Sequence, residues 1–195
     1  MTRFLLSFVL LFFSINTIFA QRDTDHWFAP YFDVSNSSYN HALYFSTDSA
    51  TPFEVDIYNN NIIIGTVTIS KGAPQVFSLN TNVIRTVNAA AAGTPNSMGV
   101  YTKGDRPYFV SLRAAVTSHG EIITSKGKAG IGTKFYAAAA PITTTGSQYN
   151  FSTGIMATED NTVVTISGYD PNVQFTNIPT PTPLTLTVTL NKGQS

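Results

Sequence analysis

Proton transfer or metal chemistry in this chain would have to start from Asp23, Asp25 and His26, which crowd together just ahead of Trp27. Carboxylates beside an imidazole are the residue types of general acid–base catalysis and of metal ligation. The surrounding segment, Gln21–Asp33, also carries Phe28, Tyr31, Phe32 and the sole tryptophan. Two readings stay open. Either it is a first strand whose aromatics enter the core with polar residues at its mouth, or it is an exposed aromatic–acidic patch for a sugar or a Ca²⁺ ion. His41 and His119 are the remaining imidazoles, and neither a Gly-x-Ser-x-Gly elbow nor a His-Glu-x-x-His helix is present. Glu54 and Asp56 share one face of a strand pattern and read as its wet side. No catalytic, metal-ligating or cofactor-binding residue is assigned, and no cofactor is expected.

Gly127-Lys128-Ala129-Gly130-Ile131-Gly132-Thr133-Lys134 invites comparison with a phosphate loop. That loop ends in Gly-Lys-Ser/Thr and opens a long helix whose N-terminus holds the anion. Here the order is Gly-Thr-Lys, and Pro141 leaves room for less than two helical turns. A cluster of β-turns accounts for the glycines better than nucleotide binding does.

The elements that would position these residues are strands. Phe53, Val55 and Ile57 alternate with Glu54 and Asp56, and Val67 and Ile69 alternate with Thr66 and Thr68. That is the period-two pattern of a sheet with one dry face. Between them, Asn59-Asn60-Asn61 tolerates left-handed turns. Further strands are expected at Ala42–Ser46, Pro74–Leu79, Gly99–Tyr101, Tyr108–Val116, Glu121–Ser125, Thr133–Ala140, Tyr149–Ala157, Thr162–Ser167 and Leu184–Leu190. Lys103-Gly104-Asp105-Arg106-Pro107 and Ser118-His119-Gly120 read as turns, and Pro179, Pro181 and Pro183 mark an extended loop. No window sustains a helical period. The expected fold class is all-β, an antiparallel β-sandwich.

An internal echo divides the chain. Ser46-Thr47-Asp48 before Phe53–Ile57 is answered by Ala157-Thr158-Glu159 before Thr162–Ile166. Thr66-Val67-Thr68-Ile69-Ser70-Lys71-Gly72 is answered by Leu186–Gly193. The expected organisation is a signal peptide at 1–20, a first β-sandwich unit at 21–145, and the incomplete start of a related unit at 146–195.

Export follows from the start of the chain. A basic Met1–Arg3, an apolar Phe4–Phe13 and a small residue at Ala20 give the order of a secretory signal peptide. The apolar run is too short to span a bilayer, which takes about 20 residues, and no later stretch is long enough. Cleavage after Ala20 removes one of the 11 basic side chains, leaving 10 against 11 acidic ones. Such a weakly charged chain excludes nucleic acid as a partner, since phosphate binding needs a basic patch. The absence of cysteine excludes a disulfide framework and thiolate metal sites.

Four ordered blocks carry a family resemblance: Asp25–Pro30, Thr51-Pro52-Phe53, Gly65–Gly72 and Ile123–Phe135. They resemble the N-terminal part of large surface proteins of gliding bacteria, which are similar to the N-terminal domain of IgGFc-binding proteins. The resemblance implies export, often by type IX secretion, and a non-enzymatic module for adhesion or gliding-associated binding at the bacterial cell surface. An unidentified protein or glycan is the implied partner. Two alternatives stand beside it. One is a carbohydrate-binding module using Trp27, Tyr31 or Tyr101, and the other is the non-catalytic part of a secreted hydrolase.

Overall fold

The computed structural model describes residues 21–33, 39–116, 119–137 and 152–195. The expected signal peptide at 1–20 and parts of the strands expected at Thr133–Ala140 and Tyr149–Ala157 lie outside the described residues.

The chain is all-β, with antiparallel sheets arranged as a sandwich. Its strands are β1 (Asp23–Phe28), β2 (Tyr31–Phe32), β3 (Asn40–Ser46), β4 (Phe53–Asn59), β5 (Ile62–Ile69), β6 (Gln75–Leu79), β7 (Arg85–Thr86), β8 (Val100–Val116), β9 (His119–Thr124), β10 (Thr162–Ser167) and β11 (Thr185–Leu190). One strand organises the rest. The leading half of β8 pairs with β4 through Tyr101–Gly104 and with β1 through Val100–Lys103. Its trailing half pairs with β3 through Phe109–Ala115 and with β9 through Ser111–Val116. β5 extends from β4, and β6 from β3.

The turn expected at Lys103–Pro107 is instead interior to β8. Its residues still mark an irregularity. Asp23 opposes Tyr108 while Asp25 opposes Lys103, so Gly104–Pro107 bulges against a single residue of β1. Pro107 has no amide to give a ladder, and it falls between the β4 and β3 pairings. Gly104 is needed for closeness: a Cβ there would lie 3.0 Å from the Phe53 ring and 3.1 Å from both Tyr108 and Val55. Similarly, His119 and Gly120 of the expected turn Ser118-His119-Gly120 belong to β9, and Ser118 lies outside the described residues.

Alternation decides what is buried. Phe53, Val55 and Ile57 of β4, Leu43 and Phe45 of β3, and Val100, Tyr108, Val110 and Leu112 of β8 form the core with Ile69 and Ile84. Tyr108 keeps its hydroxyl satisfied there by Thr102 Oγ1 at 2.7 Å. β6 is brought to β5 by a side chain filling a glycine's place, since a Cβ on Gly65 would stand 2.2 Å from Phe77 Cε2.

The β4–β5 turn is as expected, with Asn60 and Asn61 at φ 46° and 64°. Asn80 and Asn88 cap one-turn 3-10 helices at Thr81–Val83 and Ala89–Ala91, each accepting an amide hydrogen two residues on. Two expected strands are corrected. Residues 131–137 and 152–157 carry no ladder. Phe135 and Tyr136 are both strongly exposed, so these neighbouring rings find no sheet to join.

Replacing Leu43 by Ala is expected to lower unfolding free energy by about 2–5 kcal/mol, the cost of a core cavity. Val163→Ala, at a position 63 % exposed, should change it by less than about 0.5 kcal/mol. Urea denaturation of the two variants checks the contrast, and similar losses would contradict this core.

Candidate functional site

Strand alternation splits the acidic and aromatic residues of Asp23–Phe28 between two faces. On β1, His26 and Phe28 turn into the core, whereas Asp25 and Trp27 stay half-buried on the other face. Register then lines up two rows across the sheet. Trp27, Tyr101, Tyr58 and Ile63 form one; Asp25, Lys103, Asp56 and Thr66 form the next.

In the aromatic row, Trp27 stacks on Tyr101 with ring centroids 5.1 Å apart and planes at 26°. Tyr58 approaches Tyr101 at 5.3 Å and 33°. Tyr101 is therefore sandwiched by rings and has no free face for a sugar to stack on. Its hydroxyl donates to Asp25 Oδ1. Burial, with that carboxylate, raises its pKa well above the ordinary phenol value. Tyr31, the third ring considered for sugar binding, lies elsewhere, and its hydroxyl meets His41 Nε2 at 2.7 Å.

The carboxylates are held by the glycine loop. Residues Gly127–Gly130 form a one-turn 3-10 helix against β1. The Lys128 amide donates to Asp23 Oδ2 at 2.8 Å, and its Nζ lies 2.7 Å from Asp25 Oδ2 and 3.3 Å from Asp23 Oδ1. Thr24 donates its amide to Asp23 and its hydroxyl to Asp25, both at 2.7 Å. Burial pushes both carboxyls up, but the hydrogen bonds, chiefly from Lys128, outweigh it and bring them below the ordinary aspartate value. Asp25 raises the Lys128 pKa in turn. The ammonium is largely exposed, so each pair adds no more than about 1 kcal/mol.

His26 is fully buried, with Nε2 between the carbonyls of Asp23 (3.2 Å) and Tyr108 (3.0 Å). Two carbonyl acceptors place the proton on Nε2. Nδ1 has no partner among the described residues. Burial lowers the pKa of this imidazole. His41 sits in a separate cluster, donating Nδ1–H to Thr81 Oγ1 at 3.2 Å, while Thr81 donates to the Tyr39 carbonyl. Burial, and then the Arg85 charge, lowers its pKa as well. Burial raises the Tyr31 pKa to about 12. Arg85 pairs with Asp33 at 3.0 Å.

Asp23, Asp25 and His26 thus do not converge: two carboxylates meet Lys128, and the imidazole faces the core. No group of three metal-ligating side chains occurs among the described residues. Lys128 as partner of the carboxylates is not legible in the sequence, because its distance along the chain hides the contact. The one signal for it is a lysine set among closely spaced glycines.

With that geometry in view, comparison adds one finding. A family model described as "IgGFc binding protein" matches residues 121–195. The matched part holds the glycine loop, β10 and β11, and leaves out the aromatic row. No curated protein and no solved structure gives a significant match.

Two outcomes follow. Gly127 has φ +58°, and a Cβ there would stand 2.4 Å from Asp23 Cβ. Gly127→Ala should therefore lift the loop from β1 and cost about 1 kcal/mol or more, read by urea denaturation. Unchanged stability and unchanged Asp23 titration by NMR would contradict the docking. The second outcome concerns pH. His26 and His41 have folded pKa values below the unfolded 6.5. Their contribution is complete above pH 6.5 and is lost as pH falls below it towards the folded values. Asp23 and Asp25 add a separate loss below pH 3.8. His26→Gln keeps a donor but cannot charge, so its stability should fall less steeply below pH 6.5 than the wild type's. Equal slopes would place the effect elsewhere.

Proposed function

We propose that this chain is a non-enzymatic recognition module of an exported bacterial cell-surface protein, serving adhesion or gliding-associated binding. The match of residues 121–195 to a family described as IgGFc binding carries the reading, because it points to a protein partner. The four blocks quoted above and the signal-peptide pattern add the surface setting and the type IX route. A face suited to such a partner lies on the sheet of β6, β3, β8 and β9. Val76, Phe109 and Ile122 are exposed there, and Arg113 lies over the Tyr44 ring at 4.9 Å. Tyr44, Pro74, Val76, Phe109 and Thr124 border a shallow cleft of about 390 Å³. Aromatic residues and arginine favour protein interfaces.

A glycan reading keeps one supporting feature, the half-buried Trp27 at the end of the aromatic row. It would need the outer faces of the row's end rings, because Tyr101 is enclosed.

Beads coated with residues 21–195 should be retained on immobilised IgG Fc or on an extracellular glycoprotein film more than albumin-coated beads. Phe109→Glu with Ile122→Glu should reduce that retention several-fold. Retention equal to albumin on every surface overturns the proposal. A glycan-array signal lost in Trp27→Ala but kept in the double variant favours the sugar reading instead.

A further inference from the structure

The fold treats the residues leading into β1 unequally. Arg22 is held, its Nη1 pairing with Asp48 Oδ2 at 2.6 Å. Asp23 is held more firmly. It accepts the amides of Thr24 at 2.7 Å and Lys128 at 2.8 Å, and it opposes Tyr108 in the β1–β8 ladder. Gln21 stands just outside these contacts. It is exposed, lies in a turn and has no rung of its own. The boundary between fixed strand and loose end therefore falls between positions 21 and 22.

The sequence places a chemically special residue at that boundary. The argument from here rests on the export proposed for the chain, in which cleavage after Ala20 makes Gln21 the first residue. Its α-amine and its carboxamide are then parts of one residue, spaced to close an unstrained ring. An α-amine titrates at about 7.7–8.0, so the neutral nucleophile is present near neutral pH. Attack within one residue gains the advantage of any well-placed intramolecular reaction. An exposed glutamine outside the ladder turns into the closing geometry without breaking a rung.

We propose that Gln21 is a self-modifying site that closes to pyroglutamate after export. The α-nitrogen bonds to the side-chain Cδ, the Cδ–Nε2 bond breaks, and one amine proton leaves with Nε2 as ammonia. The step is neither an oxidation nor a reduction, and it consumes no second reactant. The product is a neutral lactam, so the mature chain loses its terminal positive charge and the α-amine that an aminopeptidase recognises. Chain ends are where proteolysis concentrates. Only Gln21 and Arg22 stand between this end and Asp23, which receives both the amide and the ammonium of Lys128. Trimming through Asp23 would leave the glycine loop with Asp25 alone. The lactam shields that attachment.

The test expresses residues 1–195 with their own leader in an exporting bacterium. The exported protein is reductively methylated at its amines and then digested with chymotrypsin. Gln21–Trp27 contains no lysine, so only an α-amine takes the label there. The wild-type peptide should be lighter by one ammonia and unlabelled. Gln21→Ser cannot close the ring, so its peptide should be fully labelled, and an aminopeptidase should remove residue 21 from this variant alone. A labelled wild-type peptide that begins at Gln21 overturns the proposal and leaves export standing. A terminus elsewhere, or retention of residues 1–20, overturns it together with the cleavage on which it rests. Equal resistance of the two proteins to the aminopeptidase overturns the shielding.

Discussion

The pairing of one long strand to four others is the constraint on which this molecule depends. β8 contributes its leading half to β1 and β4 and its trailing half to β3 and β9. Three of those partners, β1, β3 and β4, lie far away in sequence, so the sheet gains its order largely from non-local contacts. The bulge at Gly104–Pro107 lets a single strand serve both ladders without a chain reversal. Tyr108 follows directly after it, bringing Phe45, Phe53 and His26 around one buried ring. The core and the outer rows of side chains are thus two faces of the same ladder.

Much of this was legible because a strand writes its burial into alternation. Phe53–Ile57 and Thr66–Ile69 show it plainly, and the asparagines between them announced their turn. Lys103–Pro107 misled for a physical reason. Glycine and proline also occur where a strand bulges or where two rings approach the backbone, and local sequence does not separate those uses from a reversal. Residues 133–137 misled for another: threonine and aromatic residues describe a willing strand, but a ladder needs a neighbour.

The site was only half legible. Asp25 and Trp27 on one face, with His26 on the other, follow from alternation alone. Their partners do not, because Tyr101 and Lys128 come from far along the chain. The glycine loop is the instructive case. Its backbone and lysine do hold an anion, but that anion is the chain's own carboxylate, not a phosphate. The sequence reading of plain β-turns missed this role, because the ligand is supplied by a distant strand of the same chain.

The attachment of the C-terminal hairpin has a mechanical consequence. Ser195 pairs with Asn96, and Gly193 and Gln194 pair with Ala157, while Leu190 opposes Thr162 at the same end of the hairpin. Tension drawn between the two termini would reach β10 and β11 at one end, where both strands connect onwards. Rungs loaded in that way break in succession, as a zip opens, instead of sharing the load as in shear.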